Sequence, residues 1–390
     1  MSRKKAVFFG AGSIGRGFLG QLLTQGGYEI VFVDVDKILV DRLNAARSYP
    51  LLLLSDEQET ELTVAPVRAV HAQERELVAD EIAGADLLGT AVGAHALRFV
   101  VPTLAAGLRR RWASNDGAID VLLCENLIHV DAVVRELLKA EMTTAEERAR
   151  LGQTVGLVET SIGRMVPVPS ADSQRGDPLR VCAEPYAELP VDAAAFRAPL
   201  PALPGLVAYS PFHYYVERKL FVHNLGHAVA SYLGTLLGYT FVWEATADPW
   251  VLGVTRTAMF QAAAALAAEH GVPVHELQDH ALDLLRRFAN RGLGDTLERV
   301  CKDPLRKLAP NDRLIGALTL CRRHRLPSTA IAAGAAAAIV FHVKESGGEA
   351  KSLLAEHCGL TPQSPDFERV LSTVVRLSEG KNPLNLRDLT

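Results

Sequence analysis

The segment Val216-Glu217-Arg218-Lys219-Leu220-Phe221-Val222-His223-Asn224-Leu225-Gly226-His227 concentrates polar side chains in an otherwise amphipathic stretch. On helical spacing Lys219, His223 and His227 fall at i, i+4 and i+8 and share one face, with Asn224 beside them. A lysine with amide and imidazole company is a set of groups able to hold and pass on a proton. Taken singly, each has a blander alternative: a solvated lysine tip, or a packed and hydrogen-bonded histidine. His223 and His227 also have the spacing of a zinc pair. There is no HExxH glutamate, no cysteine nearby and no obvious third ligand, so no metal is expected. Further on, Arg306, Lys307 and Arg313 crowd cations into a short stretch. They are candidates for gripping a substrate phosphate, since arginine takes two phosphate oxygens at once. Surface ion pairs with Asp303 and Asp312 are the alternative.

A second cluster lies near the start. Phe9 is followed by Gly10, Ala11, Gly12, Ser13, Ile14 and Gly15, a GxGxxG pattern at the junction of a strand-like run and a helix-period run. In that context Gly10 permits the tight turn and Gly12 lets the backbone approach a pyrophosphate. Gly15 lets helix and strand pack closely, and the helix N-terminus offers free N–H groups to an anion. About twenty residues beyond Gly15 a second strand ends at Asp34, where a carboxylate accepts hydrogen bonds from ribose hydroxyls. Asp34 would repel a 2′-phosphate, and Val35 and Asp36 supply no arginine to receive one, so NAD is expected over NADP. Thr90-Ala91-Val92-Gly93 follows a fourth strand where small residues face such a cofactor, which adds Thr90 and Val92 to the candidates.

The elements that must position these groups are legible as alternating patterns. Ala6–Phe9, Glu29–Val33, Leu62–Val67, Asp86–Thr90, Ile119–Leu123 and Thr154–Val158 read as strands. Ile14–Gln25, Lys37–Ala46, Ala96–Arg110 and Val130–Ala140 read as crossover helices, so the expected fold is α/β with a doubly wound, Rossmann-type parallel sheet. Pro199-Leu200-Pro201-Ala202-Leu203-Pro204-Gly205 resists both helix and sheet and is read as a boundary. The expected domains are therefore 1–200, binding NAD, and 201–390, mostly α-helical and carrying substrate and catalytic groups. In the second, helical spacing runs through Tyr214–Leu236, Trp250–Glu269, Val274–Ala289, Asp312–Arg323, Ser328–His342 and Phe367–Leu377.

The pattern Lys219-x4-Asn224-x2-His227 resembles the signature of the polyol-specific long-chain dehydrogenases. Cys124-Glu125-Asn126, at the end of the fifth expected strand, is similar to that family's other asparagine segment. The resemblance implies metal-independent oxidation of a secondary alcohol, with Lys219 as general base and Asn126 and Asn224 donating to the developing oxyanion. His227 would hydrogen-bond substrate or position the lysine. A free lysine has a pKa of roughly 10.4, so oxidation is expected to be favoured at alkaline pH. Three stretches, 9–18, 216–227 and 299–308 with Asp312-Arg313-Leu314, look like the branch that acts on phosphorylated polyols. A polyol phosphate and its ketose phosphate are the expected substrates; a free polyol or a hexuronate is the alternative. One departure stands out: Gly163 precedes Arg164 where the family commonly has Asp.

Composition agrees with two packed cores. The 390 residues are 48% hydrophobic and 22% charged, and the net charge of −4 offers no general attraction for nucleic acid or an anionic membrane. Cys124, Cys182, Cys301, Cys321 and Cys358 form an odd set without a CxxC pair, which points to a reducing, cytoplasmic setting. The run Ala330–Phe341 is too short for a bilayer span. Small molecules are the expected partners, with neither nucleic acid nor membrane, and the family resemblance implies a monomer.

Overall fold

In the computed structural model, which describes residues 3–114, 117–167 and 171–380, the chain divides into two units, Met1–His213 and Tyr214–Thr390. The remaining residues of the two expected domains, including the last ten, lie outside the described residues.

The first unit is built on a six-stranded, all-parallel sheet. Its strands are β1 (Lys5–Phe9), β2 (Glu29–Asp34), β5 (Val67–His71), β6 (Leu87–Thr90), β7 (Ile119–Leu123) and β8 (Val155–Glu159), in the order β5-β2-β1-β6-β7-β8. Successive residues point to opposite faces, and both faces are apolar, as a doubly covered parallel sheet requires. Phe8, Phe32, Leu122 and Val158 enter one core; Val7, Val31, Leu88, Val121 and Leu157 enter the other. The covering helices are α1 (Gly20–Gln25), α2 (Lys37–Ala46), α3 (Arg75–Ala83), α4 (Leu97–Ser114), α5 (Val130–Glu141) and α6 (Ala145–Thr154). Strand order reverses between β1 and β6, and at such a switch point the carboxyl ends of the strands open a crevice.

Two differences from the sequence reading have physical causes. The expected strand Leu62–Val67 is two strands. β4 (Glu59–Val64) pairs antiparallel with β3 (Tyr49–Leu54), which pairs with β9 (Val181–Ala183) in a separate small sheet, while Val67 starts β5 of the main sheet. Pro66 lies between them and has no N–H to continue a ladder. The boundary also moves. β11 (Leu206–Tyr209) pairs with β10 (Leu189–Asp192), so the proline-rich segment ends in sheet pairing and belongs to the first unit. A short helix, α7 (Ala171–Gln174), precedes these strands.

The second unit is helical. Its longest members are α11 (Pro249–His270) and α16 (Thr329–Ser346), which pack on a helix running through α8 (His213–Arg218), a π-helical turn (Lys219–Asn224) and α9 (Leu225–Leu236). Small residues allow close approach: a Cβ on Gly334 would lie 2.4 Å from Val229, and one on Gly226 2.4 Å from Met259 Sδ. α10 (Val242–Ala247), α12 (Val274–Phe288), α13 (Leu297–Cys301), α14 (Pro304–Lys307), α15 (Ile315–Arg323), α17 (Ala350–Ser352) and α18 (Pro365–Ser378) complete it. By length and composition α11 is apolar enough to cross a membrane, but Val251, Val254, Ala258, Ala262 and Leu266 on it are buried in this core. None of the five cysteines forms a disulfide, and all are buried.

Candidate active site

The glycine-rich turn follows from close contacts that no side chain tolerates. Gly10 adopts φ +96°, and a Cβ there would lie 2.4 Å from the Ala91 carbonyl oxygen; a Cβ on Gly15 would lie 2.0 Å from the Gly10 oxygen. Gly12 differs: nothing lies within 4 Å of its missing Cβ, so its backbone is open to a ligand. Gly10 and Gly12, with Asp34, Val35, Val92 and Phe99, line a cavity of about 410 Å³ at the switch point. Ala11, Ser13, Ile14, Gly15 and Thr90 are not in its lining. Ala11 and Gly15 shape the turn from behind, and Thr90 is buried at the end of β6.

Asp34 is fixed before any ligand arrives. Its Oδ2 accepts the Ala11 N–H at 2.7 Å and its Oδ1 the Asp36 N–H at 2.9 Å. Four contributors were not singled out from sequence. Arg16, almost fully buried, donates to the Ala11 and Leu179 carbonyls at 2.6 and 2.8 Å and so backs the glycine loop. Burial lowers its pKa, and neighbouring acids including Asp34 oppose that shift. Glu125, 5% exposed, accepts the Val92 N–H at 3.0 Å and the Gly93 N–H at 2.7 Å, which holds the β6 loop against the cavity. Phe99 and Val35 are 69% and 78% exposed and give the cavity part of its apolar wall. Val35 directly follows Asp34, so position gave a signal for it. Asn126 stands exposed just beyond the carboxyl end of β7. Open backbone, a placed carboxylate and apolar walls fit a dinucleotide.

In the second unit the π-helical turn carries the polar cluster. Lys219 and Asn224 are its two ends, and the i→i+5 repeat of a π-turn brings residues five apart onto neighbouring positions. Lys219, Asn224 and His227 are partly exposed, whereas His223 is buried. Burial, and then the Arg287 guanidinium, hold the His223 imidazole well below its usual pKa, so it is neutral packing. The His227 ring stacks on Phe288, centroids 5.0 Å apart and 12° from parallel. Its Nε2 lies 3.1 Å from Asp295 Oδ2. Among the described residues no group of three or more His, Cys, Asp or Glu side chains is arranged to hold a metal.

The cationic trio separates. Lys307, 4% exposed, donates to the carbonyls of Val300 and Lys302, with its ammonium 5.6 Å from the Tyr232 ring centre. Burial, then Arg313, pushes its pKa down to about 8. This commits Lys307 to the backbone. Arg313 Nε donates to Asp312 Oδ1 at 2.8 Å, and Arg306, with half its side chain exposed, reaches Asp312 Oδ2 at 3.5 Å. Gly163 packs closely on Tyr186: a Cβ there would lie 3.2 Å from its ring, so a side chain at this position requires the ring to give way. Arg164 beside it donates to the Glu184 carbonyl at 2.7 Å and to Gln21 Oε1 at 2.8 Å.

Residues 4–205 match the family model for the mannitol dehydrogenase Rossmann domain, and residues 212–356 that for the mannitol dehydrogenase C-terminal domain. Mannitol-1-phosphate 5-dehydrogenase of Brevibacillus brevis is 36% identical over 346 residues, covering 89% of this chain and 88% of that one. The enzyme of the same name from Bacillus pumilus is 34% identical over 386 residues, covering 95% and 100%. Among solved structures, Pseudomonas fluorescens mannitol 2-dehydrogenase, in a ternary complex with NAD and D-mannitol, superposes with a TM-score of 0.77 at 19% identity, covering 97% of this chain and 92% of that one. A substrate-free D-sorbitol dehydrogenase gives 0.82 at 17%, covering 98% and 94%. At those identities the structures speak to the fold.

Proposed function

Since the chain belongs to the mannitol dehydrogenase family, we propose that it interconverts D-mannitol 1-phosphate and D-fructose 6-phosphate with NAD as cofactor. The observation that carries the phosphorylated substrate is the 36% and 34% identity, over most of the chain, to relatives named for that activity. Asp34 at the end of β2 supports NAD: it would accept from the ribose hydroxyls and repel a 2′-phosphate.

When bound, NAD supplies the acceptor for the hydride leaving C5. Lys219, in its neutral form, takes the proton of the C5 hydroxyl and returns it to the carbonyl oxygen in the reverse direction. Asn126 and Asn224 donate amide N–H groups to that oxygen as negative charge develops on it. His227 orients the reacting groups. Arg306 and Arg313 take the substrate phosphate in exchange for their Asp312 contacts. No metal enters the scheme. We place the enzyme in the cytoplasm, a setting that suits five cysteines without a disulfide, and the family resemblance supports a monomer.

The test is NADH oxidation by the purified protein with fructose 6-phosphate and fructose side by side, and NADPH as control. A strong preference for fructose 6-phosphate with NADH is expected. Faster turnover of fructose would defeat the substrate assignment, and equal use of NADPH the role of Asp34.

A further inference from the structure

Asp295 was not singled out by the sequence, yet its carboxylate has an unusual setting. The loop between α12 and α13 presents it. Gly294 turns the chain at φ +55°, the Asp295 carbonyl accepts the Val242 N–H at 2.9 Å, and the Leu297 N–H donates to the Thr240 carbonyl at 2.9 Å. The backbone is thus pinned on both sides of the aspartate. One oxygen, Oδ1, is gripped by Arg299 through Nε at 2.8 Å and Nη2 at 2.6 Å. The other, Oδ2, is buried and faces His227 Nε2 at 3.1 Å. The pair is close but bent, so neither atom has an aligned hydrogen bond to any described residue. Hydrogen bonds of catalytic groups often align only once substrate is bound.

We propose that Asp295 is a positioning residue for the dehydrogenase reaction: anchored by Arg299, it holds His227 with the proton on Nε2, leaving Nδ1 as the ring's hydrogen-bond acceptor. This rests on the reading of Lys219 and His227 given above. The stacked Phe288 ring fixes the plane of the imidazole, and the carboxylate decides which nitrogen carries the proton. An acceptor nitrogen orients an ammonium N–H; with the proton on Nδ1 the same ring would oppose that ammonium, which has no lone pair to accept it. Burial on its own would raise the Asp295 pKa, but His227 and Arg299 outweigh it and lower the pKa, so the anion persists at neutral pH.

The experiment is a double-mutant cycle on the full-length enzyme, run on whichever of fructose 6-phosphate and fructose the wild type reduces. Asp295→Asn offers His227 an amide N–H as readily as a carbonyl oxygen. It should lower kcat by about 10²-fold, the lower end of what a placed acid–base group contributes. KM should change less, and the NADH dissociation constant should stay unchanged. In a His227→Asn background the same substitution should cost less than about twofold, because the two residues act as one unit. Arg299→Met removes the anchor from a half-exposed position and should give a smaller kcat loss that also vanishes without His227, which keeps the test open if Asp295→Asn folds poorly. Unchanged kcat in both variants, or equal losses with and without His227, would overturn the proposal. A wild type inactive on both sugars would instead defeat the parent reading, and this inference with it.

Discussion

Lys219→Ala is the sharpest test at the scale of single residues. Loss of the proton acceptor should lower kcat by about 10²- to 10⁴-fold while NADH binding, measured by fluorescence titration, is retained. Asp34→Ser should shift the NADH to NADPH preference by about tenfold or more, equivalent to 1.4 kcal/mol. It should also weaken NADH itself, because the Ala11 N–H loses its acceptor. Glu125 gives a third prediction. A glutamine there turns an NH₂ toward one of two backbone N–H donors, so Glu125→Gln should weaken NADH about tenfold. Lys219, Asn224, His227 and Asp34 could be proposed from the sequence because they sit in local spacing patterns. Glu125 and Asp295 could not, because each acts on a partner far away in sequence. Lys307 looked like a phosphate ligand by charge alone; only its neighbours reveal that two carbonyls hold it.

Helices and strands followed their periodicity wherever one period held throughout the segment. α2, α5, α11 and α12 lie within a residue or so of the reading: Asp36 and Asp248 cap the starts of α2 and α11, and amphipathic spacing marks α5 and α12. β3 was missed because an apolar Tyr-Pro-Leu run carries no alternation, and β4 and β5 were merged because Pro66 gave the only punctuation. α6 starts at a capping box, with Thr144 and Glu147 each bonding the other's backbone N–H, a pattern that the Thr-x-x-Glu spacing marks in the sequence. The π-turn at Lys219–Asn224 had no signal, since one inserted residue in a single turn leaves the apolar pattern almost intact. At this scale Gly15→Ala is informative. Its Cβ would press on the Gly10 oxygen, so thermal unfolding should show a loss of about 1–3 kcal/mol, together with weakened NADH binding.

For the molecule as a whole, acid stability should be set in part by the helical unit. Burial, then Arg218 and Arg287, pushes the His280 pKa down to about 3, and burial likewise lowers His223. An unfolded chain would titrate these near 6.5. Protons therefore favour unfolding: stability is complete above about pH 6.5 and drains away as pH falls, for His280 by about 1.4 kcal/mol per unit down toward pH 3. His280→Leu should flatten the fall in Tm between pH 6.5 and 4.5; an unchanged slope would contradict the burial argument. The two-unit plan was legible from the change in periodicity. Its boundary was misplaced because prolines mark a break in regular structure, whereas the unit ends only after β11 has paired. The buried cysteines divide between the units, Cys124 and Cys182 in one and Cys301, Cys321 and Cys358 in the other, and burial raises the pKa of Cys182 and Cys301, and of Cys321 and Cys358 to about 12. A thiol reagent can therefore react only through opening of the surrounding structure, so alkylation resolved by peptide mapping would time the breathing of each half separately, with no label added.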